Sequence, residues 1–506
     1  MTDHPQNRPG DVQGSSTGAI PERGMRRPQE QWAEDTIGAI STAPGTGAIG
    51  IVRLSGPEAI KIAEAVFRFS RKEVPRLDET YTLHYGHVVD PRTGEVVDEA
   101  LLGVMRKPRS YTREDVVEFH CHGGPAAQRA VLRVVVRQGA RLAEPGEFTK
   151  RAFLNGRIDL AQAESVAAIV SARSSGALRA SVRQLDGGLS ERLRAVRREL
   201  IGLLARVEVT VDFSDEDVDE LDWEALAEGI EQVREILVRL LDTAFVGRAL
   251  ERGVRTAIVG KPNAGKSSLL NALLMRERAI VSETPGTTRD TVEELMEIGG
   301  IPIHLVDTAG IRVGGDHVEQ LGVERSVKAM EQADLVLAVV DLAAPRDDAE
   351  RVLVRAADPA RLIVVGNKRD LVDDGALDRL LAYLHIPPYT SGRQSDHAER
   401  SPRVCAVSAL TGGGMDELRT LIQEIVAGKG GLNLEEPILT TERQRILVEE
   451  ALAGTAQASA GARQSESEEL VCEDIRAAVN ALGKITGEDL TPDLLDEIFS
   501  HFCLGK

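Results

Sequence analysis

A chain of 506 residues has room for about three domains, and its 42% hydrophobic content is enough to build packed cores. A net charge of −19 argues against non-specific wrapping of DNA or RNA, which needs a Lys/Arg surface to release counterions, so any RNA substrate must meet a local basic patch. Aromatics at 3% also argue against a stacking platform for single strands. Four cysteines, at 121, 405, 472 and 503, form no C-x-x-C pair, the pattern of a reducing compartment without disulfides or a zinc site. No apolar run approaches the roughly 18 residues of a membrane span, and the amino end lacks a signal core. A cytoplasmic protein without membrane attachment is expected.

In chain order, residues 1–34 are polar and rich in Pro and Gly, and read as a disordered extension. Residues 35–155 read as an α+β domain. GAIGIVRLSG (47–56), YTLHYGHVVD (81–90), ALLGVMRKP (100–108) and DVVEFHCHGG (115–124) are strands ended by Gly or Pro. PEAIKIAEAVFRF (57–69) and PAAQRAVLRVVVRQG (125–139) are helices with Pro in the first turn. Residues 156–252 are helical throughout. Within and beside them lies a charge split: Ser171 to Arg206 holds eight Arg and three acids, Glu208 to Glu231 eleven acids and no Lys or Arg. This is either two solvated helix faces or, for the arginines, part of an RNA-facing surface.

From 253 to 428 short β-branched runs alternate with helical ones: RTAIVG, IHLVDTAG, DLVLAVVD, RLIVVGNKRD and RVCAVSA. That is a parallel α/β sheet. Residues 385–403 read as a surface loop. Residues 429–506 are helical again, weakly broken by the polar stretch 454–469. The helices on either side of the α/β unit then form one domain, 156–252 plus 429–506, with 253–428 inserted into it.

The inserted unit carries its chemistry in a fixed order. Gly260 to Ser267 fits G-x-x-x-x-G-K-[ST] between a strand and a helix, the context that confirms a phosphate-cradling loop. Asn263, Ala264, Gly265, Lys266, Ser267 and Ser268 line it, Lys266 reaching the β- and γ-phosphates and Ser267 ligating Mg²⁺. Thr287 and Thr288 follow, with Thr288 as a γ-phosphate-sensing Mg²⁺ ligand. Asp307, Thr308, Ala309 and Gly310 end a strand; Asp307 supports the Mg²⁺ shell, and the Gly310 N–H meets the γ-phosphate. Asn367, Lys368 and Asp370 end another, the Asp370 carboxylate accepting the guanine N1 and N2 protons that adenine does not offer. Ser408 and Ala409 close over the base. Five elements in this order make a Ras-like P-loop GTPase domain. The residue after Gly310 is Ile311, which cannot orient the attacking water as a glutamine does.

From Asp35 to Lys506 the chain resembles the tRNA-modification GTPase family MnmE, also called TrmE. The resemblance rests on GKPNAGKSSLLNAL (260–273), ETPGTTRD (283–290), DHVEQLGVERS (316–326), PGEFTKRAFLNGRIDLAQAE (145–164), ITGEDL (485–490) and the final FCLGK. It implies a multidomain α/β protein: an α+β N-terminal domain that binds folate and dimerises, an all-α domain, and the inserted G domain. It further implies a homodimer whose G domains meet around K⁺ held by the Asn263 side chain and by backbone carbonyls of Ser282, Thr284 and Thr287, with Glu283, Pro285 and Gly286 in the same GTP-binding loop. Glu319 matches the family's general base, acting through a second water. Arg53, Glu118, Arg157 and Lys506 match positions facing a tetrahydrofolate derivative, 5,10-methylene or 5-formyl. Arg157 stands where some relatives have lysine, and Ser282 where threonine is common.

Cys503 lies near the one-carbon unit under this resemblance, as a catalytic thiol; the plainer alternative is a buried packing thiol on a tucked-in helix end. As a prenylation box, Cys503 to Lys506 has Gly and Lys in the wrong places. HCH (120–122) puts two histidines on one strand face but lacks further metal ligands nearby. The implied activity is GTP hydrolysis within a complex that adds a carboxymethylaminomethyl or aminomethyl group to C5 of a tRNA wobble uridine, FAD entering only through a flavin-dependent partner of the MnmG/GidA type. A ribosome-assembly GTPase switch is the rival, which the G domain alone does not separate.

Overall fold

The computed structural model describes residues 35–70, 76–212, 221–276, 293–307, 328–386, 401–428, 432–488, 490–503 and 505. Contacts divide the chain into two units, one running to Ala143 and joined by Gly505, the other starting at Glu144. The whole is a multidomain α/β protein.

The first unit runs β1 (Ile37–Ile40), β2 (Ile49–Ser55), α1 (Ala59–Val66), β3 (Phe67–Phe69), β4 (Thr82–Val89), β5 (Val96–Met105), β6 (Val116–His122), α2 (Pro125–Arg137) and β7 (Arg141–Leu142). These strands make one sheet in the order β3-β4-β5-β6-β2-β1-β7, antiparallel except for β1 with β7. Alternation along β2 and β6 decides what faces what. Val52, Leu54, Val117 and Phe119 point into a core covered by α1 and α2. Arg53, Glu118 and His120, one residue out of step, occupy the opposite face. The run 57–69, expected as one helix, is a helix only to Val66. Phe67 and Phe69 alternate as strand residues and pair with Val88 and Gly86, where β-pairing outcompetes helix extension.

The second unit opens with α3 (Glu147–Leu154), α4 (Leu160–Ser171), α5 (Ser175–Leu185), α6 (Gly188–Asp212), α7 (Trp223–Asp242) and α8 (Ala244–Arg252). An α/β unit follows: β8 (Val254–Val259), α9 (Lys266–Arg276), β9 (Glu293–Ile298), β10 (Ile301–Asp307), β11 (Leu335–Asp341), α10 (Asp348–Ala356), β12 (Leu362–Asn367), α11 (Ala376–Leu384), β13 (Arg403–Ala406) and α12 (Met415–Ala427). Three helices complete it: α13 (Glu442–Gln464), α14 (Glu468–Thr486) and α15 (Pro492–Ser500). The helical core joins α6 and α7 to α13 and α14, segments far apart in sequence that bracket the α/β unit.

The break expected within 454–469 is present but comes late in it, at Ser465–Ser467 between α13 and α14. Ala451, Gly454, Ala458 and Ala462 are buried against α14, so the small residues that look like a break serve close helix packing; the chain turns only at Ser465. The α/β sheet has the order β13-β12-β11-β8-β10-β9. It is parallel except for β9, which the sequence reading missed and which forms an antiparallel hairpin with β10. Among the described residues no helix is long and apolar enough to cross a membrane. The expected 385–403 loop lies outside the described residues from 387 to 400.

Candidate functional site

The P-loop leaves the end of β8 and enters α9 at Lys266, so the first turn of that helix presents its N–H groups to the loop. Asn263 takes a left-handed conformation at φ 63° and Gly265 at φ 93°. A Cβ on Gly265 would come within 2.1 Å of the Asn367 side-chain nitrogen, so only glycine fits. Lys266 Nζ donates to the carbonyls of Gly260 at 2.8 Å and Lys261 at 2.7 Å, parking the ammonium on its own loop. Ser267 and Ser268 are exposed at the helix start.

Asn367, 2% exposed at the end of β12, ties two loops together. Its amide donates to the Ala264 carbonyl at 3.0 Å, and its Oδ1 accepts from the Ala409 N–H at 3.2 Å. Lys368, left-handed at φ 64°, donates to Asp341 Oδ2 at 2.6 Å. Ser408 is buried; its N–H donates to the Gly413 carbonyl and its hydroxyl accepts from the Thr411 N–H. Asp370 is exposed, and its carboxylate has no partner among the described residues. The P-loop and the loops that follow β12 and β13 therefore form one hydrogen-bonded frame.

Sequence reasoning missed Lys261, whose ammonium lies 3.0 Å from Asp347 and 3.3 Å from the buried Glu350. Burial works against its charge, but hydrogen bonds to these carboxylates outweigh it and raise its pKa. A basic residue directly after Gly260 was the available signal; that Asp347 and the first turn of α10 supply its partners was not.

In the first unit, Arg53 Nε donates to Glu118 Oε1 at 2.8 Å, directly across the β2–β6 ladder. Glu118 Oε2 is 3.1 Å from His120 Nε2. The Gly505 carbonyl accepts from Ser41 Oγ at 3.0 Å and from Arg53 at 3.4 Å. Gly505 has φ 85°, and a Cβ there would meet the Ile40 carbonyl at 2.3 Å, so the C-x-G-K pattern needs its glycine for close approach. Ser41 was another miss: a lone serine in a loop carries no signal. Of the two HCH histidines, His122 is bonded to Asp98 at 2.7 Å, which raises its pKa, and His120 to Glu118; no metal-ligand cluster forms among the described residues.

In the second unit, PGEFTKRAFLNGRIDLAQAE folds as α3, a turn, and α4 capped reciprocally by Asp159 and Gln162. On α3 dock the last aromatics: Phe499, 2% exposed, lies 6.3 Å from Phe153 and 5.0 Å from Phe502, and Lys150 pairs with Asp496. Gly146 N–H donates to the Cys503 carbonyl at 3.3 Å. This explains the apolar end of the chain. It also corrects the plainer expectation for Cys503: the helix end is tucked in, but the thiol is exposed, because the ring of Phe502 takes the inward position. Arg157 is exposed just before α4.

Residues 160–503 match the family model of the MnmE helical domain, and residues 36–157 that of the GTP-binding protein TrmE N-terminus. The chain belongs to the MnmE family of tRNA modification GTPases. It is 48% identical over 477 residues to the tRNA modification GTPase MnmE of Moorella thermoacetica, covering 94% of this chain and 100% of that protein. With the protein of the same name from Acetivibrio thermocellus it shares 42% over 476 residues, at 94% and 100% coverage. As an MnmE-family member it is a GTP-hydrolysing enzyme of tRNA modification. Of the residues expected in its sites, Ser282 to Thr288, Thr308 to Gly310, Glu319 and Lys506 lie outside the described residues, and Asp307 is described as the last residue of β10.

Proposed function

We propose that this enzyme is a K⁺-dependent GTPase that, with a flavin-dependent MnmG/GidA-type partner, adds a carboxymethylaminomethyl or aminomethyl group to C5 of the tRNA wobble uridine. It works as a cytoplasmic homodimer, with domains at 35–155, 156–252 plus 429–506, and 253–428. GTP fits the frame around Gly265: backbone from Asn263 to Ser268 cradles the phosphates, Lys266 leaves its own loop carbonyls for the β- and γ-oxygens, and Asp370 reads the guanine edge. Mg²⁺ is held by Ser267 and Thr288 with Asp307 behind them, and K⁺ by Asn263, Ser282, Thr284 and Thr287. Both cations neutralise charge on the phosphates. Glu319 orients the water that attacks the γ-phosphorus as the bond to the GDP oxygen breaks. Ile311 cannot do so.

The observation that carries the one-carbon part is the Arg53–Glu118 pair with the Gly505 carbonyl beside it. The pair, with side chains 20% and 15% exposed, meets one end of folate: the Glu118 carboxylate accepts from the pterin N–H groups and Arg53 holds that carboxylate in place. Arg157 and Lys506 add charge for the tail, and Cys503 an exposed thiol. The 5,10-methylene derivative of tetrahydrofolate, when bound, would supply a carbon at the oxidation level of formaldehyde. Calorimetric titration with 5-formyl-tetrahydrofolate tests this. Binding to the full chain that is lost in Arg53→Ala and on removal of residues 503–506 is expected; no binding to the full chain would leave a GTPase without a one-carbon site.

A further inference from the structure

The hairpin β9–β10 spans the sheet from the nucleotide end to the far end. Asp307 pairs with Ile258 beside the P-loop, and the turn Gly299–Gly300 lies at the opposite end. Met296, Ile298, Ile301, Ile303 and Leu305 are all 0–1% exposed, so the hairpin is tightly packed along its length. In sequence it joins the Thr287–Thr288 segment to Asp307, the two stretches expected to sense the γ-phosphate.

The turn is gripped by the start of α5. Ser174 Oγ donates to the Gly300 carbonyl at 2.7 Å while accepting from the Ala177 N–H at 3.1 Å, so one hydroxyl both caps α5 and holds the hairpin. Gly176 N–H donates to the same carbonyl at 3.1 Å, and Ser175 donates to Glu297 through its N–H at 3.0 Å and its hydroxyl at 2.5 Å. A Cβ on Gly176 would sit 2.3 Å from the Gly300 oxygen, so the contact is close by construction. The other end of α5 is tied to the helical bundle. Gln184 donates to the Ala161 carbonyl at 3.1 Å and accepts from Thr440 at 2.7 Å, and Gln162 donates to the Leu185 carbonyl at 2.7 Å. Ala161 and Gln162 are in the first turn of α4, which begins three residues after Arg157.

We infer that Ser174 and Glu297 are positioning residues that fix the far end of β9–β10, and that through them the state of the nucleotide site is carried along α5 to the start of α4. The inference rests on the GTPase reading of residues 260–370. A displacement of β10 by bound γ-phosphate has one hydrogen-bonded route into α5, and this joint is it among the described residues.

Hydrogen–deuterium exchange on the full chain, with Mg²⁺ and K⁺, under GDP and under a non-hydrolysable GTP analogue, tests it. Amides of α5 and of the first turn of α4 are expected to differ between the two states by roughly fivefold or more, the lower range of coupling between sites. In Ser174→Ala and in Glu297→Ala the difference disappears while both nucleotides still bind within about threefold of the natural chain, and Ser174→Thr, which keeps the hydroxyl, restores it. A difference that persists in both alanine variants, or none in the natural chain, overturns the inference. Failure of the natural chain to bind either nucleotide would overturn the GTPase reading itself, and this inference with it.

Discussion

Asn367 tests the idea that the phosphate and base loops are one frame. In Asn367→Ala the Ala264 carbonyl, in a residue only 3% exposed, loses its donor, and the half-buried Ala409 N–H loses its acceptor. A stranded buried group costs about 1–3 kcal/mol and a half-exposed one less, so the two together come to about 3 kcal/mol. Part of that loss appears as destabilisation of the empty protein. The rest appears in binding, because nucleotide must then order two loops that are no longer tied; about 2 kcal/mol there is a roughly 30-fold weaker Kd. Displacement of a fluorescent GDP, measured with Mg²⁺ and K⁺ at fixed concentration, reads this directly. Asn367→Asp is expected to be at least as damaging, since it sets a buried carboxylate oxygen against the Ala264 carbonyl oxygen now 3.0 Å from the amide nitrogen. Kd values within threefold of the natural chain for both variants would refute the reasoning and reduce Asn367 to a packing residue.

Asp370→Asn turns an acceptor pair into a donor and acceptor; GTP affinity should fall by tenfold or more, about 1.4 kcal/mol, while xanthosine triphosphate, with a carbonyl at C2, should gain, as competition for a labelled nucleotide will show. Burial pushes the thiols of Cys405 up to about 12 and of Cys121 up to about 11, and Cys472 is buried too, so a maleimide at pH about 8 should label one thiol fast, Cys503, as peptide mapping will check. The hydrogen bond that His122 donates to the Asp98 carboxylate holds the pKa of His122 above the ordinary imidazole value. Its stabilisation is therefore complete below that ordinary value and lost as pH rises through the raised one; NMR titration should show His122 returning to the ordinary value in Asp98→Asn. Phe499→Ala removes a ring buried between Phe153 and Phe502, a loss of about 3–5 kcal/mol, and exchange of α15 amides should quicken by about a hundredfold or more.

The parallel strands of the G domain were legible because each buried β-branched run is bounded by a polar loop, and the nucleotide motifs because phosphate and base chemistry restrict which residues can stand there. Strand β9 was not legible: Glu293–Ile298 lies at a sheet edge, alternates charged with apolar side chains only roughly, and gets its direction from the two glycines that follow. The short β3 was lost for the related reason that Phe67 and Phe69 continue a helical period until Val88 and Gly86 pair with them. In α13 the break fell within the expected stretch, but only at its end, and the small residues before it are helical. Gly and Ser have low intrinsic helix propensity, Ala does not, and the packing of α14 on Gly454, Ala458 and Ala462 outweighs that local cost.

The same division holds for the site. Asn367 and Ser408 were picked out as GTP-binding residues because a motif names them, yet their side chains are spent on backbone groups of the loops around them, while Asp370 keeps its carboxylate clear. A motif preserves both kinds of residue alike, since losing the frame disables binding as surely as losing a contact does. What distinguishes them is burial: Asn367 at 2% exposure can act only through what it holds. Ser174 and Glu297 extend this logic outside any motif. Serine at a helix N-cap is common enough to pass unnoticed in a sequence, and only the placement of the Gly300 carbonyl, fixed by a hairpin whose existence was not legible, turns its proton into a joint between the nucleotide sheet and the helices.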